Sequence, residues 1–350
     1  MEQIFSAYKE KIDKRITEFA TEIASHNNPW AKITAEQIAA SSRRGKTVRG
    51  SLVLMATEIF KQPLSAGAIS AATAIEFIHT ALLIHDDIMD HDDMRRGFPG
   101  AHKEYELLGQ KLEVTDAKDF GHSYAICAGD IAIFMAQWLL AREINLEAST
   151  KNKIMALMGE EFLRVGFGQI QDLAFSQLPE LPKPEEVLKM YHDKTARYTF
   201  SLPLMIGGII ANQTNEVLNA LVKAGEALGL IFQLTDDALT LHGETAAVGK
   251  AIGNDIAENK KTFYHVLLRQ RANAADNKRL NQIFGQPKTS ANDINYVRQL
   301  ITAYKIEEEI ERLIEDQAQV ATLEIESLPI EQGAKEKLKA LAIFLRQRKK

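Results

Sequence analysis

Between Ser70 and Asp90 the chain is apolar around most of a helical circumference, yet the run ends in three carboxylates, Asp86, Asp87 and Asp90. An all-round apolar helix belongs inside a bundle, because a surface helix keeps a polar face. Carboxylates at its end must reach water or a cation, since burying them uncompensated is costly. Elsewhere apolar residues recur every three and four positions, while β-branched alternation between tight glycine turns is scarce. The pattern predicts a nearly all-helical protein. Breaks are expected at Asn27-Asn28-Pro29, Gln62-Pro63, Gly97-Phe98-Pro99-Gly100, Pro179 to Pro184 and Gly285-Gln286-Pro287. None has the composition of an interdomain linker. Pro203 interrupts a further helical stretch and predicts a kink near Lys194-Thr195.

A second acidic cluster, Asp236-Asp237, stands 150 residues after the first and also ends an apolar run, with Thr240 four positions beyond Asp236. On a helix, Asp86 and Asp90 share one face about a turn apart. Hard oxygen ligands in such a pair suit Mg²⁺, which takes one or two carboxylates and completes its shell with water and substrate phosphate. The 350 residues carry a formal charge of −5, which argues against a general nucleic-acid binder. Any anion site must therefore be built locally. A single cysteine, Cys127, excludes an internal disulfide and a multi-cysteine metal site. Met1-Glu2-Gln3-Ile4-Phe5 lacks the basic segment and apolar core of a signal peptide, and no charge-free apolar stretch reaches membrane-spanning length. The expectation is a soluble cytoplasmic protein without stable membrane insertion.

Six ordered blocks then point to a family. Ile78 to Gly97, containing Asp86-Asp87-Ile88-Met89-Asp90, resembles the first aspartate-rich motif of the trans-isoprenyl diphosphate synthases. Gly45-Lys46-Thr47-Val48-Arg49-Gly50, Gly168-Gln169-Ile170-Gln171-Asp172, Lys194-Thr195-Ala196, Phe232 to Asp237, and Gly249-Lys250 through Asp255 to Lys260 follow in that family's order. The likeness is strongest over residues 40–265, with 266–350 a helical C-terminal part. It implies an all-α isoprenoid synthase fold, a single domain over 1–350 with about ten or more helices around a central prenyl-chain cavity. It also implies a homodimer.

The resemblance implies a division of labour. Asp86 and Asp90 bind two Mg²⁺ and Asp236 a third, the three ions bridging an allylic diphosphate as Lewis acids. Arg95, Lys194, Lys250 and Lys260 grip that leaving group through charge-assisted bonds. Lys46, Arg49, His79 and Arg96 take isopentenyl diphosphate without metal. The Thr195 carbonyl, the Gln233 side chain and Tyr198 stabilise the developing carbocation. No side-chain base is required, because the released diphosphate takes the final proton. Product length is set beside the helix leading to the first cluster: Ala81 and Leu82 leave the tunnel open, Ile78 lies one turn deeper, and Phe77 is the expected floor. Geranylgeranyl diphosphate or a longer product follows.

Each residue also has a plainer reading. An acidic cluster is usually a solvated face and Lys46 with Arg49 an ordinary exposed pair. His79 and His85 read alone as core histidines with satisfied nitrogens. Gln233 alone could fill a packing defect, Asp92 and Asp93 read as a solvated loop, and Met89, Met94, Phe162 and Phe167 as core filler. Departures from the family pattern are Arg44 in place of a glycine, Thr47 where many members carry arginine, and Thr240 in place of a third aspartate. The last suggests, as alternatives, a catalytically weak subunit of a hetero-oligomeric synthase. A terpene cyclase of related fold would have no use for Lys46, Arg49 and Arg96.

Overall fold

The computed structural model describes residues 2–242, 253–286 and 289–346. Their order is α1 (Glu2–Ala24), α2 (Ala31–Arg43), α3 (Val48–Ile59), α4 (Ala66–Met89), β1 (Met94–Arg95), β2 (Phe98–Pro99), α5 (Ala101–Lys111), α6 (Ala117–Ala141), α7 (Ala148–Gln177), α8 (Pro184–Tyr191), a π-helical segment (His192–Ser201), α9 (Leu202–Ile210) and α10 (Asn215–His242). Helices Asn254–Ala257, Phe263–Arg271, Ala274–Ile283, Ala291–Ala303, Ile306–Ser327 and Gln332–Arg346 follow. Apart from one two-residue hairpin, the described residues contain no strand. Starts are set by side-chain caps: Ser65 accepts from the Ala68 N–H, Asp116 from Asp119 and Thr262 from His265. The expected breaks at Pro29, Pro63, Pro179 and Pro182 fall between helices, and Pro184 is the first residue of α8.

Two compact units emerge, Met1–Leu157 with Pro203–Thr214, and Met158–Leu202 with Asn215–Lys350. The boundaries at 157 and 202 fall inside α7 and α9, so no linker composition marks them. In the first unit α4 is the core helix, with Ala71, Ala72, Ala74, Ile75, Phe77 and Ala81 fully buried. The α6 side that meets it is small, with Ala125, Ala128, Ala132 and Ala136 at 0% exposure, which lets the two helices approach closely. In the second unit Leu234 of α10, Val266, Leu268, Val297, Ile301 and Ile306 pack in one apolar cluster. Burial of each such side chain contributes about 1.5–3 kcal/mol before entropy is counted.

Several expectations change. Where the kink is expected, the chain before Pro203 is π-helical over His192–Ser201 and covers Lys194 and Thr195, with the Leu202 N–H bonded to the Arg197 carbonyl five residues back. A widened turn accommodates the missing proline N–H. Met89 (39% exposed), Met94 (50%) and Phe167 (68%) are not core filler. Asp92, by contrast, is buried, while Asp93 is exposed. Helices α4, α6 and α10 are by length and composition able to cross a bilayer, although none is charge-free, and 83% of the α4 window is buried within the protein.

Candidate active site

In the first unit, Asp90 closes α4 and its N–H bonds the Asp86 carbonyl at 2.8 Å, a helical bond that places both carboxylates on one face. The intervening Asp87 is buried against Arg95, whose Nε donates to it at 2.6 Å. Burial pushes the Asp87 carboxyl up to about 6, with Arg95 opposing. Burial alone would lower the Arg95 guanidinium's pKa, but Asp87 and Asp86 more than reverse this. Arg95 also lies 3.3 Å from Asp86 and 3.6 Å from Asp92, which explains why Asp92 is buried. One arginine thus gathers three carboxylates.

Arg95 and its neighbour Arg96 diverge because they flank a hairpin turn. Met94 pairs with Pro99 and Arg95 with Phe98, leaving Arg96 (φ 54°) and Gly97 (φ 78°) as a two-residue turn with both φ positive. Such turns match strand twist and favour glycine at the second position. Arg95 folds back over the acidic end of α4, while the Arg96 guanidinium lies so close to Gly45 that an added Cβ there would sit 2.7 Å from Nη1. Nearby, Arg49 of α3 is 8% exposed, and its Nη1 stands 3.0 Å from His79 Nε2. Burial, reinforced by Arg49, Arg96 and Arg95, holds the His79 pKa well below its usual value. His79 is therefore a neutral acceptor for Arg49. Glu76, buried one turn earlier on α4, accepts the Gly50 N–H at 2.7 Å; burial raises its carboxyl. Lys46 is exposed. His85 meets the plainer expectation, with Nε2 3.2 Å from the Ile126 carbonyl.

In the second unit, Lys194 and Lys260 both reach one oxygen of Asp172, at 2.5 and 3.3 Å. Burial would raise the Asp172 carboxyl, but the two ammonium groups outweigh it and lower it. Gly168, one turn before Asp172 on α7, is a place where a Cβ would sit 2.7 Å from the Lys194 backbone nitrogen. The block from Gly168 to Asp172 thus has a packing reason at one end and an electrostatic one at the other. On α10, Gln233 donates its amide N–H to Asp237 at 2.9 Å. Asp237, 4% exposed, also accepts the Tyr191 hydroxyl, which in turn accepts the Phe263 N–H at 2.9 Å. Burial drives the Asp237 carboxyl well above its usual range. Gln233 is therefore part of a polar network and not a gap filler. Thr240 donates to the Asp236 carbonyl at 3.1 Å, so its hydroxyl is turned onto its own helix. Tyr198 is buried, its ring 6.4 Å from that of Phe162. Lys250 lies outside the described residues.

The first unit also holds the residues expected to set product length. Phe77 and Ala81 are fully buried, Ile78 is 5% exposed and Leu82 half-buried. The Phe77 ring lies 6.0 Å from Phe19 of α1, and Phe19 lies 5.6 Å from Trp138 of α6. Residues that sequence reasoning left without a role are Asp172, Tyr191, Glu76 and Arg44. Asp172 was visible inside a motif; Tyr191 carried no local signal.

Among the described residues no three His, Cys, Asp or Glu side chains are gathered tightly enough to hold an ion unaided. The donors at the α4 end are oxygen only and incomplete. That set fits Mg²⁺ completed by phosphate and water, and does not fit a closed structural zinc site.

Comparison with known proteins agrees. Residues 31–301 match the polyprenyl synthetase family model. The short chain isoprenyl diphosphate synthase of Methanothermobacter thermautotrophicus is 32% identical over 81% of this chain and 79% of its own. The octaprenyl diphosphate synthase of Haemophilus influenzae is 30% identical over 81% and 79%. The structure of a geranylgeranyl pyrophosphate synthase from Corynebacterium glutamicum, complexed with isoprenyl diphosphate and magnesium, superposes with a TM-score of 0.90 at 28% identity, covering 97% of this chain and 98% of that one. With residues 31–301 matched by the family model and most of its length shared with these relatives, the chain belongs to the polyprenyl synthetase family and is an enzyme that transfers prenyl groups.

Proposed function

We propose that this enzyme condenses isopentenyl diphosphate head to tail (1′-4) with an allylic diphosphate, dimethylallyl, geranyl or farnesyl, in a Mg²⁺-dependent reaction that yields an all-trans product of geranylgeranyl length or longer. The observation that carries this reading is the divergence of Arg95 and Arg96. One turn of chain serves two cationic settings, one merged with Asp86, Asp87 and Asp92 and one with Lys46, Arg49 and His79, where the neighbouring Glu76 carboxyl is buried and accepts the Gly50 N–H. A cyclase needs only the first.

Asp86 and Asp90 would hold two ions and Asp236 a third, and Mg²⁺ bound there would supply Lewis-acid neutralisation of the departing diphosphate. Arg95, Lys194 and Lys260 add fixed positive charge to the same group, with Lys250 alongside. Arg49, oriented by neutral His79, presents a planar fork to isopentenyl diphosphate. With its N–H donated to Asp237, Gln233 would turn its carbonyl oxygen to the allylic cation, together with the Thr195 carbonyl and Tyr198. Loss of a proton from the tertiary cation formed by condensation, taken up by the released diphosphate, creates the new allylic double bond and ends the cycle.

The exposed apolar face of α6, Ile126 (47%), Ile131 (39%) and Phe134 (66%), supports a homodimer. A second reading, a weakly active subunit that needs a partner, is favoured by Thr240, which puts no third carboxylate after Asp236 and Asp237. Purified protein incubated with labelled isopentenyl diphosphate, each allylic primer and Mg²⁺ tests the choice. Incorporation abolished by Asp86→Ala and by Asp236→Ala supports the synthase; no incorporation with any primer removes it.

A further inference from the structure

We infer that Arg44 is a positioning residue for isopentenyl diphosphate: through Phe98 and Glu104 it clasps the loop carrying Lys46 to the hairpin carrying Arg96. This rests on the function proposed above. Arg44 caps the C-terminal end of α2, and its guanidinium carbon stands 4.4 Å from the centroid of the Phe98 ring in β2. Its Nη1 donates to Glu104 Oε1 of α5 at 2.8 Å. Stacking a planar cation over a ring while one of its N–H groups bonds a carboxylate is a combination suited to arginine and not to lysine.

The hairpin needs this contact. Strands of two residues form too little ladder to hold themselves, since even a full isolated hairpin is marginal in water. Its turn also keeps Arg96 at φ 54°, an unfavourable region for a side chain of that size. Phe98 is 46% exposed, and Arg44 covers its face. At the next position, Gly45 has no side chain to intrude on the Arg96 guanidinium, so two consecutive loop residues engage the same hairpin. The departure from the family's glycine at position 44 therefore has a use: the side chain preorganises the cations Lys46 and Arg96, which would otherwise be ordered at the expense of binding.

Phe98→Leu, Phe98→Tyr, Arg44→Lys and the double variant Arg44→Lys/Phe98→Leu test the clasp. Each is compared with wild type in steady-state kinetics for both substrates, and in calorimetric titration with isopentenyl diphosphate alone. Phe98→Leu and Arg44→Lys should each raise the KM and Kd for isopentenyl diphosphate about fivefold, as expected for one cation–π contact. The allylic KM and kcat should stay within about twofold, Phe98→Tyr should resemble wild type, and the double variant should be no worse than the more impaired single one. An unchanged isopentenyl KM, an equal rise in both KM values, or fold-changes that multiply in the double variant overturn the clasp. Inactive wild-type protein refutes the synthase reading instead, and calorimetry still judges the clasp.

Discussion

Asp172→Asn is the perturbation whose size the structure defines best. Lys194 and Lys260 approach the same Asp172 oxygen, so their ammonium groups are less than about 6 Å apart, and at an effective dielectric near 20 their repulsion is about 3 kcal/mol. The carboxylate cancels this; a neutral amide does not. Removing one partner of a fully buried pair costs about 3–5 kcal/mol, but Lys194 keeps 24% exposure and Lys260 12%, so about 2–3 kcal/mol is the better figure. The lysines then separate, and both leave the place in which they would grip the allylic diphosphate. We expect the kcat/KM for the allylic substrate to fall about 30- to 100-fold, while the KM for isopentenyl diphosphate changes less than about twofold. Initial rates with each substrate varied at saturating concentration of the other measure this, with urea unfolding as the control for folding. Equal loss for both substrates, or no loss for the allylic one, refutes the reasoning.

Three further outcomes are expected. His265 is buried, stacked on Phe284 at 3.7 Å with Nδ1 2.9 Å from the Lys260 carbonyl, and burial lowers its pKa from 6.5 to about 3. The neutral ring is thus favoured by folding; its contribution is complete above pH 6.5 and is lost as pH falls towards 3, about 3 kcal/mol of it by pH 4.5. His265→Asn, which keeps a donor for Lys260 but cannot titrate, should be less stable than wild type at pH 7 and should close that gap by pH 4.5 in urea titrations; a gap independent of pH refutes this. Phe77→Ala should lengthen the product mixture on chromatography, with a stability loss of about 3–5 kcal/mol because Phe77 is fully buried beside Phe19; an unchanged product removes Phe77 as the floor. Phe134→Glu on the exposed α6 face should shift sedimentation from dimer to monomer without unfolding the chain; an unchanged sedimentation coefficient assigns that face another role.

The all-helical class, the helix breaks, and the residues at the two acidic clusters and the basic blocks were legible in the chain itself. A 3.6-residue repeat and a proline act locally, and carboxylates four apart share a face wherever the helix sits. What tertiary structure decided were partnerships between distant positions. Asp172 meets lysines 22 and 88 residues away, and Tyr191 reaches Asp237 across 46. Pattern could not separate buried Asp92 from exposed Asp93, because the difference is the reach of Arg95 around a hairpin turn. Nor could it tell core methionines from Met89 and Met94, since exposure depends on which helix lies opposite. Periodicity records which face of an element is apolar; what covers that face, and which charge answers a buried carboxylate, is a property of packing alone.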